Sequence, residues 1–146
     1  MARAEMSTVV NRPIEDVFAV LSNVENNPKW SSAAVEAQQT SAGPVGVGTT
    51  MRFVGRFLGR RVESRAVVTQ FETNRIFAWQ SSAGPFPMQG SLTFERINGG
   101  TRVNSVFEAE PAGFFKLVEP LMVMMAKRRS QNDLDNLKGL MEADAM

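Results

Sequence analysis

The segment from Gly113 to Met141 constrains the fold most, because it is the longest stretch of the chain that can form one helix. Its first half, Phe114–Ala126, is apolar on almost every side. Its second half spaces Leu134, Leu137 and Met141 three and four residues apart, which puts them on one face of a helix. A half that is apolar all round must be covered on several sides or must border a cavity. We therefore expect the upstream chain to cover this helix.

A proline inside this segment leaves two structures open. Either Pro120 kinks one helix between Leu117 and Leu121, or the helix begins near Glu119 with the proline in its first turn. The second arrangement leaves no hydrogen bond unmade, since a first-turn N–H has no partner within the helix. A kink would open one mouth of a cavity beside the helix.

The residue types that the chain lacks exclude several kinds of chemistry. The 146 residues include no cysteine, no histidine and no tyrosine. Catalytic triads with histidine and zinc sites with nitrogen or sulfur ligands are therefore excluded, and no acidic cluster has the spacing of a calcium loop. We expect no cofactor, no metal and no catalytic residue that the sequence alone can name.

Composition and charge indicate an ordinary globular protein. With 43% hydrophobic and 21% charged residues, the chain is expected to form a single domain over residues 1–146. A net charge of +1 argues against nucleic acid as a partner. The N-terminus has no apolar core of signal-peptide length, and the run Phe114–Ala126 is too short to cross a bilayer. We expect a cytoplasmic protein without integral membrane association.

The order of elements upstream can be predicted from the sequence pattern. Residues 5–11 predict a first strand, and Pro13 with acidic residues behind it predicts a helix start. A second short helical turn leads to Trp30. The following sequence alternates with a period of two, and the short connections favour antiparallel hairpins. The predicted strands are Ala33–Thr40, Thr49–Phe57, Arg60–Phe71, Arg75–Ser82, Phe86–Arg96 and Thr101–Glu110.

One face of this sheet is predicted to be charged and solvated, and the other apolar with small residues that leave space. The small inward residues are Gly55, Ser64, Ala66, Gly90 and Ser105. In the strand Arg75–Ser82 the facing stays open: either Phe77 and Trp79 point inward, which we prefer, or the alternating set does.

The order of these elements resembles the START/Bet v 1-like superfamily (SRPBCC), in its polyketide cyclase/dehydrase and lipid-transport branch. The segment VVNRPIEDVFAVLSNVENNPKW is similar to the opening of that family, in which a strand leads into a helix and a tryptophan follows a short break. The matching positions are Pro13, Val17, Phe18, Leu21, Pro28 and Trp30, with further similarity at Gly99–Val103, Glu119–Leu121 and Leu134–Glu142.

The resemblance implies an α+β helix-grip fold. In that fold a curved antiparallel sheet wraps around a long C-terminal helix, two short helices follow the first strand, and a cavity separates sheet from helix. Together with the predicted facing of the elements, it predicts a set of cavity-lining residues. These are Trp30, Met51, Phe53, Phe57, Ala66, Trp79, Met88, Phe94, Phe107, Leu117, Leu121, Met124 and Met125.

The function that follows is the binding or transport of a hydrophobic small molecule, such as a lipid, a sterol or a polyketide-like compound. An aromatase/cyclase or dehydratase acting in the same cavity is the alternative. It would have to fold its substrate and use arginine, glutamate, serine or threonine, since histidine and tyrosine are missing. Glu36, if it points inward, Arg128 and Asn132 are the polar residues that could reach the cavity. For Arg128, together with Arg129, we prefer a position at the solvated start of the amphipathic half. A protein-interaction module, with a homodimer as one form, ranks below both.

Overall fold

The computed structural model describes residues 2–31, 34–57 and 59–144. The chain forms one strand, two short helices joined by a 3-10 turn (Val24–Asn26), six further strands, a one-turn helix and a long C-terminal helix. The strands are β1 (Ala2–Val10), β2 (Ala34–Gln39), β3 (Thr50–Phe57), β4 (Arg60–Glu72), β5 (Ile76–Ala83), β6 (Met88–Ile97) and β7 (Gly100–Ala109). The helices are α1 (Ile14–Ser22), α2 (Asn27–Trp30), α3 (Phe114–Leu117) and α4 (Glu119–Glu142).

The strands form one curled antiparallel sheet in the order β1-β7-β6-β5-β4-β3-β2. Neighbours in sequence pair as hairpins from β2 to β7, while β1 closes the other edge by pairing with β7. Register shifts interrupt β4 between Arg65 and Ala66 and again between Val68 and Gln70. Such bulges bend a strand and increase its twist, so the longest strand provides much of the curvature. The predicted helix-grip architecture is confirmed.

The first helix closes one end of the curled sheet. The carbonyl of Pro13 accepts from the N–H groups of Asp16 and Val17 at 3.0 and 3.1 Å, so the proline lies directly before α1. Phe18 on the buried face of α1 packs edge-on against Phe94 of β6, with ring centroids 5.0 Å apart. This contact places the compact core at the α1 end of the sheet.

The second half of α4 packs into the same core. Leu134, Leu137 and Met141 are 3%, 0% and 0% exposed, as their spacing predicted. The helix is also tied to β1, since the Lys138 ammonium donates to the carbonyl of Val9 at 2.7 Å. This half of the helix is therefore fixed against the sheet.

The start of the C-terminal segment follows the second of the two predicted arrangements. The one-turn helix α3 and the long helix α4 are separated at Val118, and Pro120 lies in the first turn of α4. No single helix runs through the whole segment from Gly113 to Met141. In β5 the preferred facing is the observed one, because Phe77 is 3% exposed and belongs to the core.

No helix in the described ranges is long and apolar enough to span a membrane.

Candidate ligand-binding cavity

A cavity of about 400 Å³ lies between the concave face of the sheet and the middle of α4. The helix contributes residues spaced three and one apart, which form one continuous stripe. This stripe changes along its length from apolar to polar. Its members are Met122, Met125, Ala126, Arg129, Ser130 and Asp133.

The sheet wall of the cavity is aromatic. Trp79 of β5 lies between Phe53 of β3 and Phe107 of β7, with ring centroids 5.9 and 6.0 Å away. All three rings line the cavity. Gly55 and Ser64 line it too, so two of the predicted small positions leave space beside the rings.

A second lobe of about 250 Å³ continues toward α2. It shares the Phe53, Trp79 and Phe107 rings with the main cavity. Two more of the predicted small positions, Gly90 and Ser105, lie in its wall. The two lobes therefore form one apolar region on either side of the same aromatic wall.

Polar groups mark the boundary between the lobes. Asp133 is 7% exposed and its carboxylate accepts from the Ser31 hydroxyl at 3.0 Å. The adjacent Trp30 lines the second lobe, and its indole N–H is buried with no hydrogen-bond partner among the described residues. The carbonyl of Trp30 accepts from the Asn136 amide at 3.0 Å, which ties α2 to α4.

Arginines lie at the opposite mouth of the main cavity. Arg129 on α4 donates to the backbone carbonyl of Arg56 on β3 at 3.3 Å, and both residues line the cavity. Glu36 of β2 also reaches this rim, as one predicted alternative allowed. The mouth thus has the guanidinium of Arg129, while the carboxylate of Glu36 turns to Arg52 and Arg61.

Arg52, Arg61 and Arg65 of β3 and β4 belong to the solvated outer face of the sheet. Arg52 donates to Glu63 across β3 and β4 at 2.7 Å. This hydrogen bond, together with the attraction of the positive charge, lowers the pKa of the Glu63 carboxyl. This cross-strand pair lies on the face of the sheet that was predicted to be charged and solvated.

The structure brings six of the predicted cavity residues to the cavity and its second lobe. Five line the main cavity and one lines the second lobe alone. Whether they bind a ligand stays a prediction. They are Phe53, Trp79, Met88, Phe107 and Met125 in the main cavity and Trp30 in the second lobe.

Three other predicted residues lie on the correct face of the sheet but inside the packed core. Met51, Ala66 and Phe94 are 2%, 1% and 6% exposed and belong to the core cluster. They line neither lobe, since α1 and the end of α4 fill the space in front of them. For these three the expected place in the cavity wall is corrected to the core.

The helix residues Leu117, Leu121 and Met124 were expected in the cavity wall, but the structure places them at the surface. They are 83%, 39% and 50% exposed, and they line neither lobe. The sheet covers only one side of the C-terminal segment, so the apolar residues on its other side remain exposed to solvent. The lower-ranked interaction module would use that stripe. The prediction for the Phe57 side chain lies outside the described residues.

The polar stripe of α4 was not predicted at the correct positions. Arg128 and Asn132 were named as residues that could reach the cavity, with a solvated position preferred for Arg128 and Arg129. Arg128 and Asn132 are exposed, whereas Arg129, Ser130 and Asp133 line the cavity. The error is one helical position, which is a rotation of about 100°. Extending the spacing of Leu134 and Leu137 backward by three and four residues would have identified Ser130.

Comparison with solved structures shows the same fold over nearly the whole chain. A protein from Thermus thermophilus is similar with a TM-score of 0.84 and 18% identity, covering 99% of each chain. The Zhui aromatase/cyclase from a Streptomyces species is similar with a TM-score of 0.77 and 16% identity, covering 99% of this chain and 95% of its own. A START superfamily protein from Mycobacterium smegmatis has a TM-score of 0.71 and 13% identity, with 99% and 97% covered.

Identities this low show the shared fold and nothing of a shared ligand. No curated protein matches the sequence. The family described as polyketide cyclase / dehydrase and lipid transport matches residues 1–142. The cavity between sheet and helix is thus found in a chain that belongs to the polyketide cyclase/dehydrase and lipid-transport family.

Proposed function

We propose that the protein binds a hydrophobic small molecule, such as a lipid, a sterol or a polyketide-like compound, in the cavity between the sheet and α4. The observation that carries the proposal is the cavity of about 400 Å³ behind an aromatic wall. Small-molecule sites typically measure roughly 300–1,000 Å³ and have mostly apolar walls with a few polar groups. Membership of a family described by cyclisation and lipid transport supports the same function.

The methionines of the wall favour a ligand of variable shape. Met88 of β6 faces Met122 and Met125 of α4 across the main cavity. Their unbranched side chains change rotamer at low cost and offer a polarisable surface. A wall of this kind adapts to an apolar ligand more easily than one of branched residues.

Intrinsic fluorescence tests this proposal directly, because the only two tryptophans, Trp30 and Trp79, both lie at the cavity. We expect a saturable change in emission with at least one of a fatty acid, a sterol and an aromatic polyketide. The variant Trp30→Phe isolates the signal of Trp79 in the shared wall. If no member of the three classes saturates, the proposal fails.

A cyclase or dehydratase is the second candidate, favoured by the buried acid at the cavity. Asp133 is buried beside Ser31 at the boundary between the lobes, and a carboxylate there can accept a proton from a carbon between two carbonyl groups. Holding a reactive chain in a folded conformation would add to the rate. This candidate predicts that a linear poly-β-ketone thioester cyclises faster with the protein than in buffer, and that Asp133→Asn removes most of the acceleration. Equal rates of cyclisation with and without the protein would exclude the enzyme and leave ligand binding as the proposed function.

A further inference from the structure

The guanidinium of Arg129 has unused hydrogen-bonding capacity at the mouth of the cavity. Its described hydrogen bond is the one to the carbonyl of Arg56 at 3.3 Å, and no carboxylate lies within ion-pair distance of it among the described residues. A guanidinium has five N–H donors, so most of them can still bind another group. The residue is half-buried, which strengthens its interaction with an anion relative to a fully solvated arginine.

The acids near this mouth are already engaged elsewhere. The Glu36 carboxylate pairs with Arg52 at 3.5 Å and with Arg61 at 3.7 Å on the outer side of the sheet. The Asp133 carboxylate, one turn further along α4, accepts from the Ser31 hydroxyl. Neither is within ion-pair distance of Arg129 in the described part of the chain, so its positive charge is not neutralised.

The stripe on α4 therefore changes from apolar residues to a cation at Arg129 before it reaches the hydrogen-bonded Asp133. Met122, Met125 and Ala126 line the cavity on the side of the helix start, and Arg129 follows one turn later. We propose that the cavity takes a single-chain amphiphile whose oxyanion end, a carboxylate or a phosphate ester, binds the guanidinium of Arg129. This inference rests on the proposed function and names the ligand class for the same site.

The geometry and size of the site both fit this class of ligand. A planar guanidinium can donate two parallel hydrogen bonds to a carboxylate or phosphate, which a neutral ester cannot accept with the same strength. The two lobes, of about 400 and 250 Å³, lie within the range for small-molecule sites and leave room for an alkyl chain along the aromatic wall.

The test compares ligands that share one alkyl chain and differ at the polar end. Dodecanoate, methyl dodecanoate and dodecyl phosphate are titrated separately, with the fluorescence of the two tryptophans as signal. We expect dodecanoate, dodecyl phosphate or both to bind about tenfold more tightly than the methyl ester, as a charge-assisted hydrogen bond predicts. Whichever of these two anions binds more tightly identifies the oxyanion of the ligand as a carboxylate or a phosphate ester. The preference should decrease at high salt, since a half-buried pair is partly screened.

Adjacent arginines on α4 provide a matched control. Arg129→Gln should remove the preference for the anion and leave the affinity for the methyl ester unchanged. Arg128→Gln removes the same charge from an exposed position outside the cavity and should keep the preference. Arg129→Lys keeps the charge but loses the planar guanidinium, so it should keep part of the preference for the anion. Thermal unfolding of each variant shows that it is folded before it is titrated.

The outcomes separate this inference from the proposed function. Equal affinity for all three ligands, or a preference that survives Arg129→Gln, overturns the role of Arg129 and leaves a hydrophobic cavity. No saturable binding of any of the three, when a sterol or an aromatic polyketide does bind, overturns the single-chain amphiphile alone. Failure of every ligand overturns both.

Discussion

Replacing Leu137 by alanine measures how far the sheet encloses the C-terminal helix. The side chain is 0% exposed and lines neither lobe of the cavity, so its removal creates a new void instead of enlarging an existing one. Three buried carbon atoms at about 0.8 kcal/mol each correspond to about 2.4 kcal/mol of lost transfer free energy. With the term for the void, the free energy of unfolding should fall by about 3–5 kcal/mol.

Urea unfolding followed by circular dichroism gives this quantity, and the melting temperature should fall by about 6–20 °C, given roughly 2–4 °C per kcal/mol at this size. Leu121→Ala is the matched control, because it makes the same change on the same helix at a side chain that is 39% exposed. Its cost should stay below about 1 kcal/mol. Equal losses at the two positions would refute the assignment of buried and exposed sides to α4.

Two further predictions concern the packing around the cavity and the end of α4. Gly90→Ala would place a methyl carbon 2.7 Å from the ring of Trp79, so the ring must move. Thermal melting should then show a loss of about 1–3 kcal/mol in stability, and titration should show a loss of ligand affinity. Gly46→Ala, whose added methyl would have nothing within 4 Å, should change neither quantity. The hydrogen bond from Lys138 is the main cause that lowers the pKa of Glu142 below its ordinary value of 4.5. Ionised Glu142 therefore stabilises the folded state above pH 4.5, and this stabilisation is lost as the pH falls through the lowered pKa. In denaturation curves from pH 7 to pH 3, Glu142→Gln should therefore be less stable than the native chain near pH 7 and the difference should shrink below pH 4.5; a constant difference would contradict this.

The order and facing of the elements could be predicted because each depends on local sequence. The alternation in β3 to β7 and the spacing of Leu134, Leu137 and Met141 are periodic patterns that fix a buried face without knowledge of the partner. The break before α4 was one of two arrangements that the chemistry of Pro120 allowed. The observed arrangement places the proline where its missing N–H breaks no helical hydrogen bond.

The boundary between core and cavity could not be predicted from the sequence. Met51 and Phe94 share the inward face with Phe53 and Trp79, yet only the latter two line open space. The difference arises from where α1 and the end of α4 lie against the sheet, which is a property of the tertiary structure. The polar residues of α4 that line the cavity were predicted one position away, and one residue corresponds to a rotation of about 100° around the helix.

Apolar character alone also does not indicate burial in the first half of α4. Leu121 and Met124 are as hydrophobic as Met122 and Met125, but one pair faces solvent and the other the cavity. A helix against one curved sheet has only one covered side. The sequence predicts that such a helix needs a partner, but not which side the partner takes.

The cavity beside α4 is proposed to hold a hydrophobic ligand, and filling the cavity tests this most directly. Ala126 lines the cavity, and Ala126→Phe would place a ring in it; Lys127→Phe adds the same ring at the neighbouring exposed position. The measurement is a tryptophan fluorescence titration of the native chain and both variants with the tightest ligand found. We expect saturable binding by the native chain and by Lys127→Phe, and at least a tenfold loss of affinity in a folded Ala126→Phe. Unchanged affinity in Ala126→Phe would show that the ligand binds elsewhere and would contradict the account.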